Sequence, residues 1–511
     1  MMNRKPFYRQ ALHYFFLGMI ALLFAAIFHF CISPVMTQET EFDVSCFHVI
    51  GNAMRFGNMP YLNFIDNKGP VQYVIYLLAS LIGPFPWGVF IISTLLDFCM
   101  LVMLEQICRR LKIPHAFWIL PLFLFFYTCV CSNGGLTEDF SLPLTMAAFL
   151  IYLDFDERFR QREMRLLTGF LLGLLFWLCA FTRINNALPI GLITASIGVQ
   201  LLVKKEWKKT AAYIGSFATG TLLIVVPIVL WLLQKGAWQE FLNQFLINNF
   251  KYAAAEDAIS KVDLFFHNRF GFALFFLVIE SILGAYLFYR RSGKARGSIL
   301  ITTLVVLLGT GLSFISMTQS FPHYLLVILI PAFFGFVLQY AYPDDAPEKN
   351  KKRRLFVIFT TVFCCVGMIF TFSGKVKVED GLYYVKTVSH RILDGELFQE
   401  TEYEQTIDRL ADRIPLEEQN SVYSLNADPR FYAYSGIIPC KRMFVCQALF
   451  TDISKEYADE FVSYFAIDPP KWLVTEEPLE TIDLCGTGAA ITAAYRLVDD
   501  TTGYYYLYER R

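Results

Sequence analysis

The chain has 511 residues, of which 55% are hydrophobic and 17% are charged, and 51 of them are phenylalanine. This balance is far more apolar than that of ordinary soluble domains, so it excludes a soluble globular protein and predicts an integral membrane protein. With a formal net charge of −1, we expect no nucleic-acid partner.

Long apolar segments predict membrane-spanning helices along most of the chain. A spanning helix needs roughly 20 apolar residues, because each adds about 1.5 Å of rise across a hydrocarbon layer of about 30 Å. The first apolar segment is long and lacks a clear small-residue cleavage site, so we expect a retained anchor rather than a cleaved signal. Eleven spans are predicted, near residues 11–33, 86–108, 115–132, 136–153, 166–182, 184–203, 211–233, 266–289, 298–316, 323–342 and 355–372.

Between the first two spans, the region 34–85 is predicted to carry surface helices. Its first part, DVSCFHVIGNAMRFG, repeats apolar residues at helical spacing, which predicts an amphipathic helix along the membrane surface. Its last part, PVQYVIYLLASLIGPF, is apolar but too short for a usual span. We therefore expect this last part to dip into the interface or to lie along it.

After Phe372 the composition changes to a mixed soluble pattern. Helical patterns over 402–414 and 456–467 alternate with short strand patterns over 421–427, 471–477 and 503–510. The sequence therefore predicts a membrane domain over 1–372, which includes the loop 34–85, and a small soluble α/β domain over 373–511.

The distribution of Lys and Arg predicts the orientation, because these residues resist translocation and mark cytoplasmic loops. The N-terminus and the segments that would share its side hold 23 of them, whereas the loops on the opposite side hold 6. We expect a multi-pass protein of the cytoplasmic (inner) membrane with a cytoplasmic N-terminus. Eleven spans then place the C-terminal domain outside the cytoplasm.

Ionisable residues gather at span ends that this topology places outside. Charges are costly in hydrocarbon unless they are paired or solvated, so a group of them at one interface favours a polar cavity. The residues are Asp43, Asp66, Lys68, Glu138, Asp139, Arg183 and His323.

The loop sequence FDVSCFHVIGNAMRFGNMPYLNFIDNKGP resembles the first outer loop of GT-C membrane glycosyltransferases. The similarity is greatest to the branch of the protein O-mannosyltransferases and the lipid A aminoarabinose transferases. The similarity rests on three features: an acidic residue after the first span, a G-x-x-PY segment (57–61) and a D-x-K-x-P segment (66–70). The later segments LTEDFSLPL, TRINNALP and PHYLLVILIP also resemble family features. Two departures are Gly69, where the family commonly has proline, and Val44, where a second acidic residue is frequent.

The resemblance implies a GT-C-like helical membrane fold and an enzyme that transfers a sugar from a polyprenyl-phosphate donor to an extracytoplasmic acceptor. The acceptor class, whether glycan, lipid or protein, stays open, and so does a divalent cation. Cations stabilise a departing lipid phosphate, and a carboxylate orients or deprotonates the attacking hydroxyl. The expected roles are a catalytic base at Asp43, donor-phosphate ligands at Lys68, Arg183 and His323, and sugar or acceptor contacts at Tyr61, Asp66, Glu138 and Asp139.

Each of these residues also has a structural interpretation. Asp43 is suited to cap the helix that it begins, and Lys68 to extend to lipid headgroups. Arg183 is suited to anchor a helix end, and His323 to be a core or interfacial histidine. Glu138 and Asp139 are suited to a solvated loop turn, and Tyr61 to packing at the interface. Two further acidic residues, Asp97 and Glu280, lie inside predicted spans and are expected to be neutral or paired there.

Two other functions remain open at this point. A lipid-linked glycan flippase or another polytopic transporter also needs many spans and a polar cavity, although transporters usually place their polar groups near the midplane. A noncatalytic assembly protein would use the outer tail to bind a partner. The 12 cysteines show no metal-binding spacing, and a disulfide between Cys440 and Cys446 is left open.

Overall fold

The computed structural model describes residues 7–36, 42–114, 116–130, 134–249, 269–316, 322–341, 351–373, 378–397, 399–500 and 503–511. Contacts within the chain form two compact units. The helical unit comprises Met1–His29, Ile91–Trp231 and Asn249–Ser389. The mixed unit comprises Phe30–Phe90, Leu232–Asn248 and His390–Arg511.

Helices form most of the described chain and follow the apolar segments. In chain order they are α1 (Phe7–Phe28), α2 (Phe42–Met54), α3 (Pro70–Ile82), α4 (Trp87–Arg110), α5 (Ile119–Cys129), α6 (Thr137–Arg160), α7 (Leu166–Ala180), α8 (Leu188–Val203), α9 (Trp207–Gln234), α10 (Trp238–Phe241), α11 (Arg269–Ser292), α12 (Gly297–Ser316), α13 (Leu326–Leu338), α14 (Lys351–Ser373), α15 (Val378–Leu393), α16 (Glu402–Asp412), α17 (Arg430–Ser435), α18 (Gln447–Ile453), α19 (Lys455–Ala466) and α20 (Gly488–Ala494). Helix α10 continues as a π-helix over Leu242–Asn248.

Every predicted span overlaps one of these helices. Within the described ranges, six helices are long and apolar enough to cross a membrane, and further apolar helices are shorter. The predicted multi-pass membrane fold is thereby confirmed, while the total of eleven spans stays a prediction. The six are Tyr8–Phe28, Trp87–Arg110, Ile184–Val203, Trp207–Gln234, Ala273–Ser292 and Gly297–Phe314.

Polar contacts join several basic segments at one end of the helical unit. Arg110, the last residue of α4, lies 3.0 Å from the carboxylate of Asp154 on α6. Two residues further along α6, Asp156 accepts a 2.8 Å hydrogen bond from Ser298 at the start of α12. These contacts place three of the predicted cytoplasmic segments together.

Close helix packing in the same unit depends on glycine. A Cβ atom at Gly284 on α11 would lie 2.3 Å from the carbonyl oxygen of Gly335 on α13. Small residues of this kind let two helix backbones approach inside a membrane, where packing drives association. This contact fixes α13, which follows the turn that carries His323.

The mixed unit contains a four-stranded sheet of order β1-β2-β4-β3. Its strands are β1 (Val422–Ser424), β2 (Trp472–Thr475), β3 (Tyr495–Asp499) and β4 (Tyr506–Arg510). Strand β2 pairs in parallel with β1 and antiparallel with β4, which also pairs antiparallel with β3. The predicted small C-terminal sheet is therefore present, and β3 is a strand that the sequence patterns did not predict.

The core of the mixed unit contains a residue of the loop 34–85. Ile65 is buried in one apolar cluster with Tyr423, Phe461 and Leu473. Its backbone N–H also donates a 3.0 Å hydrogen bond to the carbonyl oxygen of Arg442. The loop that carries the predicted catalytic residues is therefore packed against the sheet of the tail.

Candidate active site

Helices α2 and α3 pack closely and hold the loop that connects them. A Cβ atom at Gly51 on α2 would lie 2.6 Å from the backbone of Tyr76 on α3, so no larger residue fits there without a shift. The ring of Phe47 contacts Tyr76 with centroids 5.7 Å apart. The loop between these helices carries Tyr61, Asp66 and Lys68.

The loop backbone takes an unusual conformation at Tyr61, where φ is +70°. Side chains other than glycine adopt this region at a cost of about 1–2 kcal/mol. Two contacts hold the residue in place: its hydroxyl donates to the Lys68 carbonyl at 2.8 Å, and its carbonyl accepts from Gln244 Nε2 at 2.8 Å. The tyrosine therefore fixes the path of the chain around Lys68.

Asp66 is held on both sides of its carboxylate. Tyr73 donates to Oδ2 at 2.8 Å, and the backbone N–H of Asn67 donates to Oδ1 at 2.7 Å. Burial raises the pKa of Asp66, while Lys68 and the hydrogen bond from Tyr73 partly offset that effect. Its own backbone N–H donates to Gln244 Oε1 at 3.2 Å, so one glutamine bridges two points of the loop.

Lys68 and Asp43 bring opposite charges together. Lys68 Nζ lies 4.0 Å from Asp43 Oδ2, and the side chains are 14% and 34% exposed, respectively. The ammonium group also donates to Asn67 Oδ1 at 2.9 Å and lies 5.6 Å from the ring centroid of Phe47. The Asp43 carboxylate is thus accessible to solvent, while Asn67 and Phe47 orient the ammonium group of Lys68.

A second group of the predicted residues meets inside the helical unit. Arg183 Nη1 donates a 2.8 Å hydrogen bond to Glu138, whose side chain is only 1% exposed. The guanidinium carbon lies 3.7 Å from the ring centroid of Tyr324, a cation–π contact. The ring of His323 lies against Tyr324 with centroids 4.6 Å apart. Arg183, Glu138 and His323 are therefore brought together by the fold.

Asp139 fixes the start of α6. It accepts a 2.6 Å hydrogen bond from the Tyr127 hydroxyl and a 3.0 Å bond from the backbone N–H of Leu136. The second contact satisfies an N–H group at the helix N-terminus that has no helical partner. Asp139 consequently orients the turn on which Glu138 lies.

Asp97 has a partner that the sequence did not reveal. Its Oδ2 lies 3.5 Å from His29 Nε2, and both side chains are buried in the helical unit. Neither atom makes a hydrogen bond within the described residues. An ionisable pair buried in this way matches the expectation that Asp97 faces a polar neighbour.

The loop that carries Asp66 and Lys68 is held by residues that the sequence interpretation did not include. Asn67, Tyr73 and Gln244 hold the loop but were not singled out beforehand. Tyr73 lies one helical turn beyond the D-x-K-x-P segment, which is a usable signal. Gln244 lies far away in the chain, within the apolar segment FLNQFLINN, and nothing in its spacing indicates a loop contact.

The described residues contain no group of three or more His, Cys, Asp or Glu side chains that could hold a metal ion. In the tail, Cys440 and Cys446 are both free. The predicted roles of the eight site residues in catalysis and binding stay predictions at this point.

Comparison with known proteins gives matches among solved structures. No protein-family model matches the chain, and no curated protein matches it. The crystal structure of ArnT from Cupriavidus metallidurans bound to undecaprenyl phosphate matches with a TM-score of 0.60 and 11% identity, covering 98% of this chain and 97% of that one. The apo structure of the same protein matches with a TM-score of 0.57 and 11% identity, covering 98% of each chain. At 11% identity these two matches show a shared fold, and the predicted resemblance is confirmed at that level.

Proposed function

We propose that this protein is an integral membrane glycosyltransferase that moves a sugar from a polyprenyl-phosphate donor to an extracytoplasmic acceptor, with inversion at the sugar. The observation that carries the proposal is the pairing of Asp43 with Lys68 on one loop, at 4.0 Å. Support comes from the similarity of the fold to ArnT, which was solved with undecaprenyl phosphate. Eleven spans, a membrane domain over 1–372 and an extracytoplasmic domain over 373–511 belong to the same proposal.

The two charges suit the two halves of a sugar transfer. As the acceptor oxygen attacks the anomeric carbon, Asp43 takes the proton of that hydroxyl. The bond from the anomeric carbon to the phosphate oxygen breaks, and its electron pair stays on the lipid phosphate. The ammonium group of Lys68 stabilises that charge, and a direct displacement inverts the anomeric centre.

Other cations are proposed as further ligands of the donor phosphate. Arg183 keeps a fixed orientation through Glu138 and Tyr324, and a guanidinium matches two phosphate oxygens at once. His323 is proposed for the same ligand. The proposed sugar or acceptor contacts remain Tyr61, Asp66, Glu138 and Asp139.

The proposal is tested with purified protein and a panel of polyprenyl-phosphate sugars. Mass spectrometry detects the released lipid phosphate together with the glycosylated acceptor. We expect Asp43→Asn to lower the rate by roughly 100-fold or more, since a general base contributes on that scale. The matched control is Asp468→Asn, which removes a carboxylate that is 87% exposed in the tail.

Two results would contradict the proposal. A fully active Asp43→Asn protein would show that Asp43 is not the catalytic base. Movement of a lipid-linked sugar across vesicles without any covalent product would instead identify the alternative function, a flippase or another transporter.

A further inference from the structure

The mixed unit contains a polar and aromatic group of side chains that the transfer chemistry does not use. The Arg430 cluster consists of Tyr403, Asp428, Arg430, Glu476 and Tyr504. These residues come from α16, the loop before α17, α17 itself, the end of β2 and the segment before β4. Five separate parts of the tail therefore meet in one place.

Arg430 is held in a fixed position. Asp428 Oδ1 accepts a 2.8 Å hydrogen bond from the backbone N–H of Arg430 and lies 2.9 Å from its Nε. The backbone N–H of Asp428 donates to Glu476 Oε1 at 3.0 Å. The guanidinium carbon also lies 5.2 Å from the ring centroid of Tyr403. The fork of the guanidinium is oriented before any ligand arrives.

The polar side chains of the cluster are partly exposed to solvent. The terminal nitrogens of Arg430, Asp428 Oδ2 and Glu476 Oε2 take part in none of the contacts above. The side chains of Arg430 and Asp428 are 26% and 15% exposed, so water or a ligand can reach them. The cluster thus presents donors and acceptors side by side.

An aromatic face adjoins these polar groups. The Tyr403 ring is buried, and its hydroxyl shares a 2.6 Å hydrogen bond with Tyr505. Tyr504 meets Tyr403 edge-to-face at 5.0 Å, and 44% of its side chain is exposed. A large ring is therefore held by a buried neighbour while it remains open to solvent.

The cluster lies near the catalytic loop within the same unit. Helix α17 packs on α2, the helix that begins with Asp43. Tyr434 of α17 contacts Phe85 with ring centroids 5.1 Å apart. Burial raises the pKa of Cys446 to about 12, and both Asp43 and Asp428 act on that thiol in the same direction. Helix α17, which begins with Arg430, therefore lies against the helix that begins with Asp43.

The charges of the cluster select its ligand. The cluster contains two carboxylates and one guanidinium, so its formal net charge is negative and opposes a phosphate or carboxylate group. Neighbouring hydroxyl groups of a sugar instead donate to carboxylate oxygens and accept from guanidinium N–H groups. An exposed aromatic ring offers an apolar surface for the C–H face of the sugar ring.

We infer that the Arg430 cluster binds a neutral saccharide unit of the acceptor, next to the site of transfer. This inference rests on the proposed function, because that function requires an extracytoplasmic acceptor, and it narrows that acceptor to one that bears a glycan. Arg430 and Tyr504 would then determine which acceptors bind, without touching the reacting atoms.

The test is saturation-transfer-difference NMR on the purified full-length protein without a donor. The probes are methyl glycosides and disaccharides of neutral sugars, and a matched set of glucuronides and sugar phosphates. We expect saturation of the neutral probes and a loss of affinity of about tenfold in Arg430→Met and in Tyr504→Ala, from lost hydrogen bonds and lost ring contact. Arg496→Met is the control, because Arg496 is an exposed arginine on strand β3 of the same unit, outside the cluster.

Asp43→Asn separates this inference from the proposed function, since it should bind the neutral probes as the wild type does even where transfer is lost. The inference is overturned if no neutral probe is saturated by the wild type, or if only the anionic probes bind. It is also overturned if Tyr504→Ala, with a Tm equal to that of the wild type, binds the neutral probes unchanged.

Discussion

At the scale of single residues, Asp66 shows how this loop holds a charge that burial disfavours. Tyr73 and the backbone of Asn67 occupy its two oxygens, and Lys68 provides an opposite charge nearby. These contacts reduce the cost of burial without removing it, so the pKa of Asp66 stays above its ordinary value. The loop therefore keeps a carboxylate beside Lys68 at some expense in stability.

This raised pKa predicts a particular dependence of stability on pH. The folded protein retains the Asp66 proton to a higher pH than the unfolded chain, where the pKa of Asp is about 3.9. The contribution of the protonated Asp66 side chain to the free energy of unfolding is thus complete below that value. It is lost as the pH rises through the pKa that Asp66 has in the folded protein. In thermal unfolding followed by intrinsic fluorescence, we expect the Tm of Asp66→Asn relative to wild type to increase between about pH 4 and pH 7.

Asp468→Asn provides the control with the opposite sign. A hydrogen bond from Lys441 lowers the pKa of Asp468, so its contribution is present at neutral pH and is lost as the pH falls. The Tm of Asp468→Asn relative to wild type should therefore decrease, weakly, over the same range. A flat profile for Asp66→Asn would contradict the raised pKa.

At the scale of elements, the sequence predicted the helices well because hydrocarbon imposes a simple length and composition on them. It also predicted that α2 and α3 are helices, from their spacing and length, while their position along the membrane surface stays a prediction. Strand β3, with the sequence YRLVD, escaped prediction because most of its residues are exposed and show no alternation. The π-helical stretch after α10 and its contact with the loop likewise have no local signal.

Gln244, in that π-helical stretch, is predicted to act as a clamp for the loop. In Gln244→Leu, the Tyr61 carbonyl and the Asp66 N–H lose their partner, and each unpaired buried group costs about 1–3 kcal/mol. We expect a lower Tm and a lower rate of transfer. Gln239→Leu is the matched control, because the Gln239 side chain is exposed on the preceding turn and its amide donates to Asn243 rather than to the loop. An unchanged Tm and rate in Gln244→Leu would show that the loop does not need the clamp.

Arg291 is predicted to stabilise the end of a neighbouring helix. Its guanidinium donates to the carbonyl oxygens of Leu338, Gln339 and Ala341 where α13 ends, and carbonyl groups at a helix C-terminus lack the usual helical partners. Arg291→Met should lower the free energy of unfolding by about 1.5–3 kcal/mol, the usual worth of a hydrogen bond to a charged group. Arg290→Met, at the adjacent exposed position, should leave it nearly unchanged. Equal unfolding curves for the two variants would contradict this role.

At the scale of the whole molecule, composition and contacts divide the chain differently. The change in composition after Phe372 marks the start of the tail, and sequence alone offers no sign that Ile65 belongs to the core of the tail. Pairs such as Ile65 and Arg442 lie far apart in the chain, and no local pattern encodes their contact. The motif around Asp43 and Lys68 was recognisable, whereas the residues that support it had to be seen in three dimensions.

The orientation in the membrane leads to a final prediction, which depends on a natural cysteine. Cys485 is exposed in the tail, whereas the other exposed cysteine of the described residues, Cys99, lies in the apolar helix α4. If the tail is extracytoplasmic, a membrane-impermeant maleimide should label Cys485 in intact cells, and Cys485→Ser should abolish that label.

The control is Lys204→Cys in the Cys485→Ser background. It places a thiol at an exposed position in a lysine-rich segment, which the positive-inside rule assigns to the cytoplasm. That thiol should react only after the membrane is permeabilised. The reverse pattern would place Asp43 and Lys68, whose loop packs with the tail, on the cytoplasmic side, and the proposed transfer outside the cytoplasm would then be wrong.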